Sequence, residues 1–182
     1  MKRHFAAAFA LLATLTVPAS LFAKGRTVKI TIRGAALTTP IESTDEALGW
    51  FGVWEGPGVA INGAPQTKGF IIDWSKGVVA ERRNGLQRYE VSFYAGCKMS
   101  EWGCRTDKPS LVYVVSYEYD PSIEQGYVYL PGKADEWYQL NTFSIFRGGL
   151  DLEGNWFFAT SEWQKFARPL IERAKAESRA SR

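Results

Sequence analysis

Leu111-Val112-Tyr113-Val114-Val115-Ser116-Tyr117-Glu118-Tyr119 is the stretch on which the fold turns. Side chains alternate across a strand, so Leu111, Tyr113, Val115, Tyr117 and Tyr119 fall on one face, while Val112 and Val114 partly cover the other. Apolar residues on both faces near its start predict a strand that is central in its sheet. Downstream, Asp120-Pro121-Ser122 turns the chain and Gly126 to Leu130 returns as an antiparallel partner carrying Tyr127 and Tyr129. Pro131-Gly132 ends that arm, Trp137 to Phe146 has the pattern of one or two further short strands, and Asn155 to Phe158 that of an edge strand.

Upstream, Thr27 to Arg33 alternates Val28, Ile30 and Ile32 with Lys29, Thr31 and Arg33, the period of a strand with one wet face. Pro40 to Ser43 reads as extended, and Thr44 as the cap of a short helical turn ending at Gly49. Trp50 to Gly69 has the composition of a long loop, and such loops in compact domains are often functional. Phe70 to Trp74 is a short apolar strand. Asn84-Gly85 is a strong hairpin signal between Val78–Arg83 and Leu86–Ala95. After Ser161 the period becomes helical: Ser161-Glu162-Trp163-Gln164 matches a capping box, and Trp163, Phe166, Ala167, Leu170, Ile171 and Ala174 form one apolar stripe. Pro169 should kink or restart that helix, and its charged end should fray after Ala176. The expected fold is mainly β (all-β or α+β): an antiparallel β-sandwich or partly closed barrel, with a C-terminal helix over about 161–178 packed on it.

Residues 1–23 have the three parts of an export signal: the basic head Met1-Lys2-Arg3-His4, the apolar run Phe5 to Val17, and small residues from Pro18 suited to cleavage after Ala19 or after Ala23, the second leaving the first strand pattern intact. The run falls short of the about 20 apolar residues that cross a bilayer, and no second segment of membrane length follows. Residues 24–182 then form a single domain, exported to the periplasm or the extracellular space. Losing Lys2 and Arg3 lowers the formal charge from +3 to +1, and the balance is uneven, with six basic and two acidic residues in the tail from Lys165 against 14 basic and 17 acidic between Lys24 and Gln164. The body before that tail is slightly acidic, which argues against a nucleic-acid reader. Cys97 and Cys104 are the only two cysteines, and an oxidising compartment invites a disulfide between them. Closing that eight-residue loop would contribute about 2.5 kcal/mol on the chain-entropy model.

The one histidine, His4, leaves with the signal, so mechanisms that need an imidazole are excluded from the mature chain. Phosphate-binding loops, a Gly-x-Ser-x-Gly elbow and an alternating-acid calcium loop are likewise missing, and neither a metal nor a cofactor is expected. Catalysis without imidazole leaves a carboxylate pair, a tyrosine, a lysine or an arginine clamp, and of these the carboxylate pair has support. A carboxylate pair drawn from Glu55, Asp73, Glu90 and Glu118 would suit a glycosidase-like hydrolase acting on envelope polysaccharide, with aromatics stacking on sugar rings. Alternatively, the tyrosines at 113, 117, 119, 127, 129 and 138 line a groove for a non-catalytic binding module of the cell envelope. Trp54, Glu55, Tyr117, Tyr119, Tyr127 and Tyr129 are the binding candidates, and a small molecule, a glycan or an envelope protein is the partner. Arg88 and Arg147 are candidates to pair with Glu90 or Glu118.

Gly52-Val53-Trp54 supplies the Gly-x-Trp of lipocalin-like carriers of small amphipathic ligands, although it follows a strand where that family's motif opens one. Leu86-Gln87-Arg88-Tyr89-Glu90-Val91, Gly126 to Lys133 and Gly154-Asn155-Trp156 resemble an uncharacterised family of exported bacterial proteins. That resemblance implies export and a single domain, and brings no activity with it.

Overall fold

The computed structural model describes residues 27–45, 48, 51, 60–61, 64–65, 71–96, 108–144 and 152–180. Residues 1–23, expected to be an export signal, together with Trp54, Glu55, both cysteines and Arg147, lie outside them. Among the described residues are eight strands: β1 (Thr27–Gly34), β2 (Ile41–Ser43), β3 (Ala60–Ile61), β4 (Ala64–Pro65), β5 (Arg88–Ala95), β6 (Ser110–Asp120), β7 (Gln125–Tyr129) and β8 (Trp156–Phe158). Two α-helices accompany them, α1 (Tyr138–Ser144) and α2 (Ser161–Ala180). Six strands form one antiparallel sheet in the order β2-β1-β5-β6-β7-β8, while β3 and β4 pair separately. The sheet does not close, and its cover is a helix, so the protein is a mainly β fold with the C-terminal helix packed on an open sheet.

Directly opposed residues share a face, and the register therefore assigns the sides. Ile30, Phe93 and Tyr113 form one cross-strand row, Ile32, Val91 and Val115 the next, and Gly34, Tyr89, Tyr117 and Val128 a third. These rows are the inner face, and Trp163, Ala167 and Ile171 of α2 complete its core. Trp163 is fully buried, with its ring 5.3 Å from Phe51, 5.8 Å from Phe93 and 6.0 Å from Tyr117, centroid to centroid. A 20-residue helix is about 30 Å long, and six strands at about 4.8 Å spacing span about 24 Å, so α2 can bridge the whole sheet. Its far end is tied down, since the Ser178 hydroxyl accepts from the Thr38 backbone N–H at 3.2 Å and lies 3.0 Å from the Thr38 hydroxyl.

Several sequence expectations shift here. β6 is central, between β5 and β7, but Phe93 opposes Tyr113 while Tyr94 opposes Leu111. Val112 is thus the extra residue of a bulge, and Leu111 leaves the face it was expected to share with Tyr113. Asn84-Gly85 does turn, with Gly85 at φ +74°, yet no hairpin forms, because both edges of β5 are already taken by β1 and β6. Val78 and Ile72 bridge instead to Phe157 and Ala159, sealing the outer edge of β8. Tyr138–Ser144 is helical rather than extended: the Asn141 side-chain amide accepts from the Val114 N–H at 2.9 Å and donates to its carbonyl at 2.6 Å. It thereby occupies the edge of β6 beyond the last β7 pair, Ser116 with Tyr129.

The cap of α2 is Thr160, whose hydroxyl accepts from the Trp163 N–H at 3.2 Å, one residue before the expected Ser161. The helix also runs through Pro169 to Ala180 without restarting. Pro169 is exposed, so the carbonyl it frees one turn earlier sits on the wet side, and the bonds to Ser178 hold the end expected to fray.

Candidate functional site

The six tyrosines expected to form one groove divide between the two sides of the sheet. Tyr113, Tyr117 and Tyr119 are on the inner face under α2; Tyr127 and Tyr129, opposite Glu118 and Ser116, are on the outer face, and Tyr138 opens α1. The division follows from register: Tyr117 opposes Val128 and Tyr119 opposes Gly126, which sends the β7 tyrosines to the other side.

Where the inner face meets the turn at residues 83–87, it forms a cleft of about 510 Å³ against α2. Two glycines shape its floor. A β-carbon on Gly34 would lie 2.6 Å from Cδ1 of Tyr89, and one on Gly126 would lie 2.8 Å from Cε2 of Tyr117, so each phenol ring occupies the space that a neighbouring side chain would take. Tyr89, Tyr117, Tyr119, Leu86 and Ile171 supply the apolar lining. Tyr89 is anchored by donating from its hydroxyl to Oε1 of Gln87 at 2.7 Å. Tyr117 has no exposed surface, and neither its hydroxyl nor that of Tyr119 has a hydrogen-bond partner among the described residues. A buried hydroxyl left unpaired costs roughly 1–3 kcal/mol, so the cleft wall holds unspent donors.

Arg83, Arg168 and Lys175 line the same cleft, against Glu172 as its one carboxylate. The Glu172 carboxylate is 2.9 Å from Lys175, and Arg83 is 3.8 Å from Asp120. Arg168 has no ion pair among the described residues; its guanidinium carbon stands 4.0 Å over the ring of Tyr119. Arg168 and Glu172 also border an adjoining, more open groove of about 570 Å³, lined besides by Glu124, Ser161, Gln164, Lys165 and Pro169. Burial pushes the Tyr89 phenol up to about 12, with Glu172 adding to the effect. Burial also raises Tyr117 and Tyr119, against a smaller opposing effect of Arg168 on each. At neutral pH the cleft therefore presents protonated phenols beside a guanidinium.

The outer face holds a different constellation. Glu118, buried, accepts from Nη1 of Arg82 at 2.6 Å and from Nε of Arg88 at 2.9 Å. The two guanidiniums flank the indole of Trp156, at 4.0 and 5.2 Å from its centroid. Tyr129 stacks on Trp156 at 5.1 Å and donates to Asp135 at 2.8 Å, while Tyr127 packs 5.8 Å from Phe158. Of the four carboxylates considered for acid–base work, Glu55 lies outside the described residues and the other three each have a local partner. Glu118 holds the arginines, Glu90 accepts from the Trp137 indole at 3.0 Å, and Asp73 caps the 3₁₀ turn at Trp74–Lys76. Neither described cleft is lined by any of these three.

Of the six binding candidates, the structure brings Tyr117 and Tyr119 to the cleft and places Tyr127 and Tyr129 in packing on the opposite face. Trp54 and Glu55 lie outside the described residues. Sequence reasoning left Arg88 open to pair with Glu90 or Glu118, of which the structure shows Glu118, and it missed Arg82, Tyr89 and Arg168. Arg168 directly follows the stripe residue Ala167 and lies one turn before Ile171, at the margin of the apolar stripe of α2, a helical position that could have marked it as a residue bordering the sheet. No protein-family model matches the chain, and no curated protein or solved structure matches it.

Proposed function

We propose that this chain is an exported, non-catalytic binding module of the cell envelope that takes a small amphipathic molecule into the cleft between α2 and the ends of β5 and β6. The observation that carries the reading is the Tyr117 hydroxyl, fully buried in the cleft wall without a partner among the described residues. The cleft volume falls within the about 300–1,000 Å³ typical of small-molecule sites, and its lining pairs apolar surface with a few convergent donors, as such sites require. Export is supported by the three-part pattern of residues 1–23. No helix among the described residues is long and apolar enough to cross a membrane.

A ligand that binds only the folded state raises its stability, by about 2.7 kcal/mol at a hundredfold excess over Kd. Thermal melting of the purified chain against single-chain amphiphiles with different heads should yield at least one that raises the midpoint. That rise should shrink in Tyr117→Phe, which keeps the ring and loses the donor. A panel that leaves the midpoint unmoved throughout would overturn the reading.

A further inference from the structure

We infer that the cleft selects an anionic head, a carboxylate or phosphate monoester at the end of one apolar chain, and that Arg168 is the residue that recognises it. The inference rests on the binding role proposed above and names its ligand class. Its first ground is the polarity of the donors. A guanidinium carries only donors, and the buried hydroxyls of Tyr117 and Tyr119 already lack acceptors. A group that only accepts, with charge to match, is complementary to the guanidinium and to any hydroxyl that a side-chain movement uncovers; an ammonium head is complementary to none of them.

The second ground is the charge balance. Three cations and one carboxylate line the cleft, and that carboxylate is held by Lys175 at 2.9 Å. Arg83 has a counter-ion at 3.8 Å in Asp120. Arg168 alone among the cleft cations has no carboxylate partner among the described residues, and it is held by the π-face of Tyr119. A stacked guanidinium keeps its in-plane N–H donors available, the geometry suited to bidentate contact with an oxyanion.

The third ground is position. Arg168 is half-buried on the turn of α2 that follows the core residue Ala167, and Ile171, one turn further on, belongs to the apolar lining. Head recognition and chain burial are thus adjacent on one helix. Arg168 covers Tyr119, so a side-chain rotation toward an arriving anion would uncover that ring.

Calorimetric titration of the purified chain tests this with probes that share a ten-carbon tail: decanoate, decyl phosphate, decyl glucoside and decyltrimethylammonium, all as monomers. Acetate and inorganic phosphate serve as heads without tails, and phosphatidylglycerol vesicles as the lipid-bound source of the same chemistry. Decanoate or decyl phosphate should bind at least about tenfold more tightly than decyl glucoside, as a charge-assisted contact allows. Arg168→Gln should erase that difference by weakening the anions far more than the glucoside, and Tyr113→Phe, outside the cleft, should preserve it. Equal binding of the glucoside and the anions would overturn the anion assignment and leave the binding role standing. Failure of every tailed probe would overturn both. Sedimentation with vesicles without binding of any monomer, or binding of inorganic phosphate as tight as that of decyl phosphate, would also overturn the proposed ligand.

Discussion

Gly126 lies beneath the ring of Tyr117 so closely that a β-carbon there would stand 2.8 Å from Cε2 and 3.0 Å from the hydroxyl oxygen. The glycine is required by that approach, since it belongs to a strand and shows no left-handed backbone. The methyl group of Ala159 closes the remaining side at 3.1 Å, and little room is left for the ring to retreat. Gly126→Ala should therefore overpack the site and cost about 1–3 kcal/mol in denaturant unfolding. It should also diminish any ligand response of the cleft, because the ring that yields is part of the wall.

Tyr113 and Tyr117 are both fully buried with unpaired hydroxyls among the described residues, but only Tyr117 borders the cleft. Deleting each hydroxyl removes the same kind of penalty, so Tyr113→Phe and Tyr117→Phe should each leave stability unchanged or raise it by up to about 1 kcal/mol. A melting series with ligand separates them, since only Tyr117→Phe should lose part of the ligand-induced rise. Alanine at Tyr117 would report on the core instead, because the ring packs edge-on against Trp163 at 6.0 Å.

These two tyrosines show what was legible in the chain and what was not. Alternation along Leu111–Tyr119 identifies a central strand and puts Tyr113, Tyr117 and Tyr119 together, because side-chain direction in a strand is a local property. Alternation cannot say which face of β7 meets that side; the register set by the turn after Asp120 decides it and sends Tyr127 and Tyr129 away. Val112 illustrates the same limit, for a bulge is fixed by the partner strand as much as by the bulged one. The failed hairpin at Asn84-Gly85 is a failure of edges, since β1 pairs with β5 across more than fifty intervening residues. Arg168 joins the site only when α2 crosses the sheet, which its own periodicity suggests but cannot aim.

The start of α2 can be checked directly. Thr160 accepts from the Trp163 N–H, whereas the Ser161 hydroxyl lies 3.1 Å from the neighbouring Glu162 carboxylate on the exposed surface. Thr160→Ala should cost about 1 kcal/mol, the usual loss for an N-cap, while Ser161→Ala should be nearly silent. Equal losses, or a larger one at Ser161, would return the cap to the residue suggested by the capping-box pattern.

Alkali should unfold the protein in step with tyrosine ionisation. Tyr89 is raised from 10.0 to about 12, chiefly by burial, and Tyr113, Tyr117, Tyr119, Tyr127 and Tyr129 are raised as well. A group whose folded pKa exceeds its unfolded value favours the folded state fully below the unfolded value. That contribution is lost as pH rises from about 10 through the folded value. Tyrosinate absorbance and circular dichroism should therefore change together above pH 10, and Tyr89→Phe should move the transition to higher pH. Free titration of most tyrosines at their ordinary value, without unfolding, would contradict the burial of these phenols.

The arginines on the outer face should prove mutually redundant. Glu118 is buried and shared by Arg82, whose side chain is 21% exposed, and Arg88, at 57%. Removing Arg88 leaves the carboxylate its 2.6 Å bond to Arg82, so Arg88→Ala should cost less than about 1 kcal/mol. Arg82→Ala should cost more, because it also removes the guanidinium 4.0 Å over Trp156. With both gone, the carboxylate is buried without a counter-charge, a situation that costs about 3–5 kcal/mol. The double variant should then lose more than the singles together, by about 1–3 kcal/mol in a double-mutant cycle. In a Glu118→Gln background the charge that couples the arginines is absent, and the cycle should close to near zero. Additive losses in both backgrounds would mean that each arginine acts through Trp156 alone.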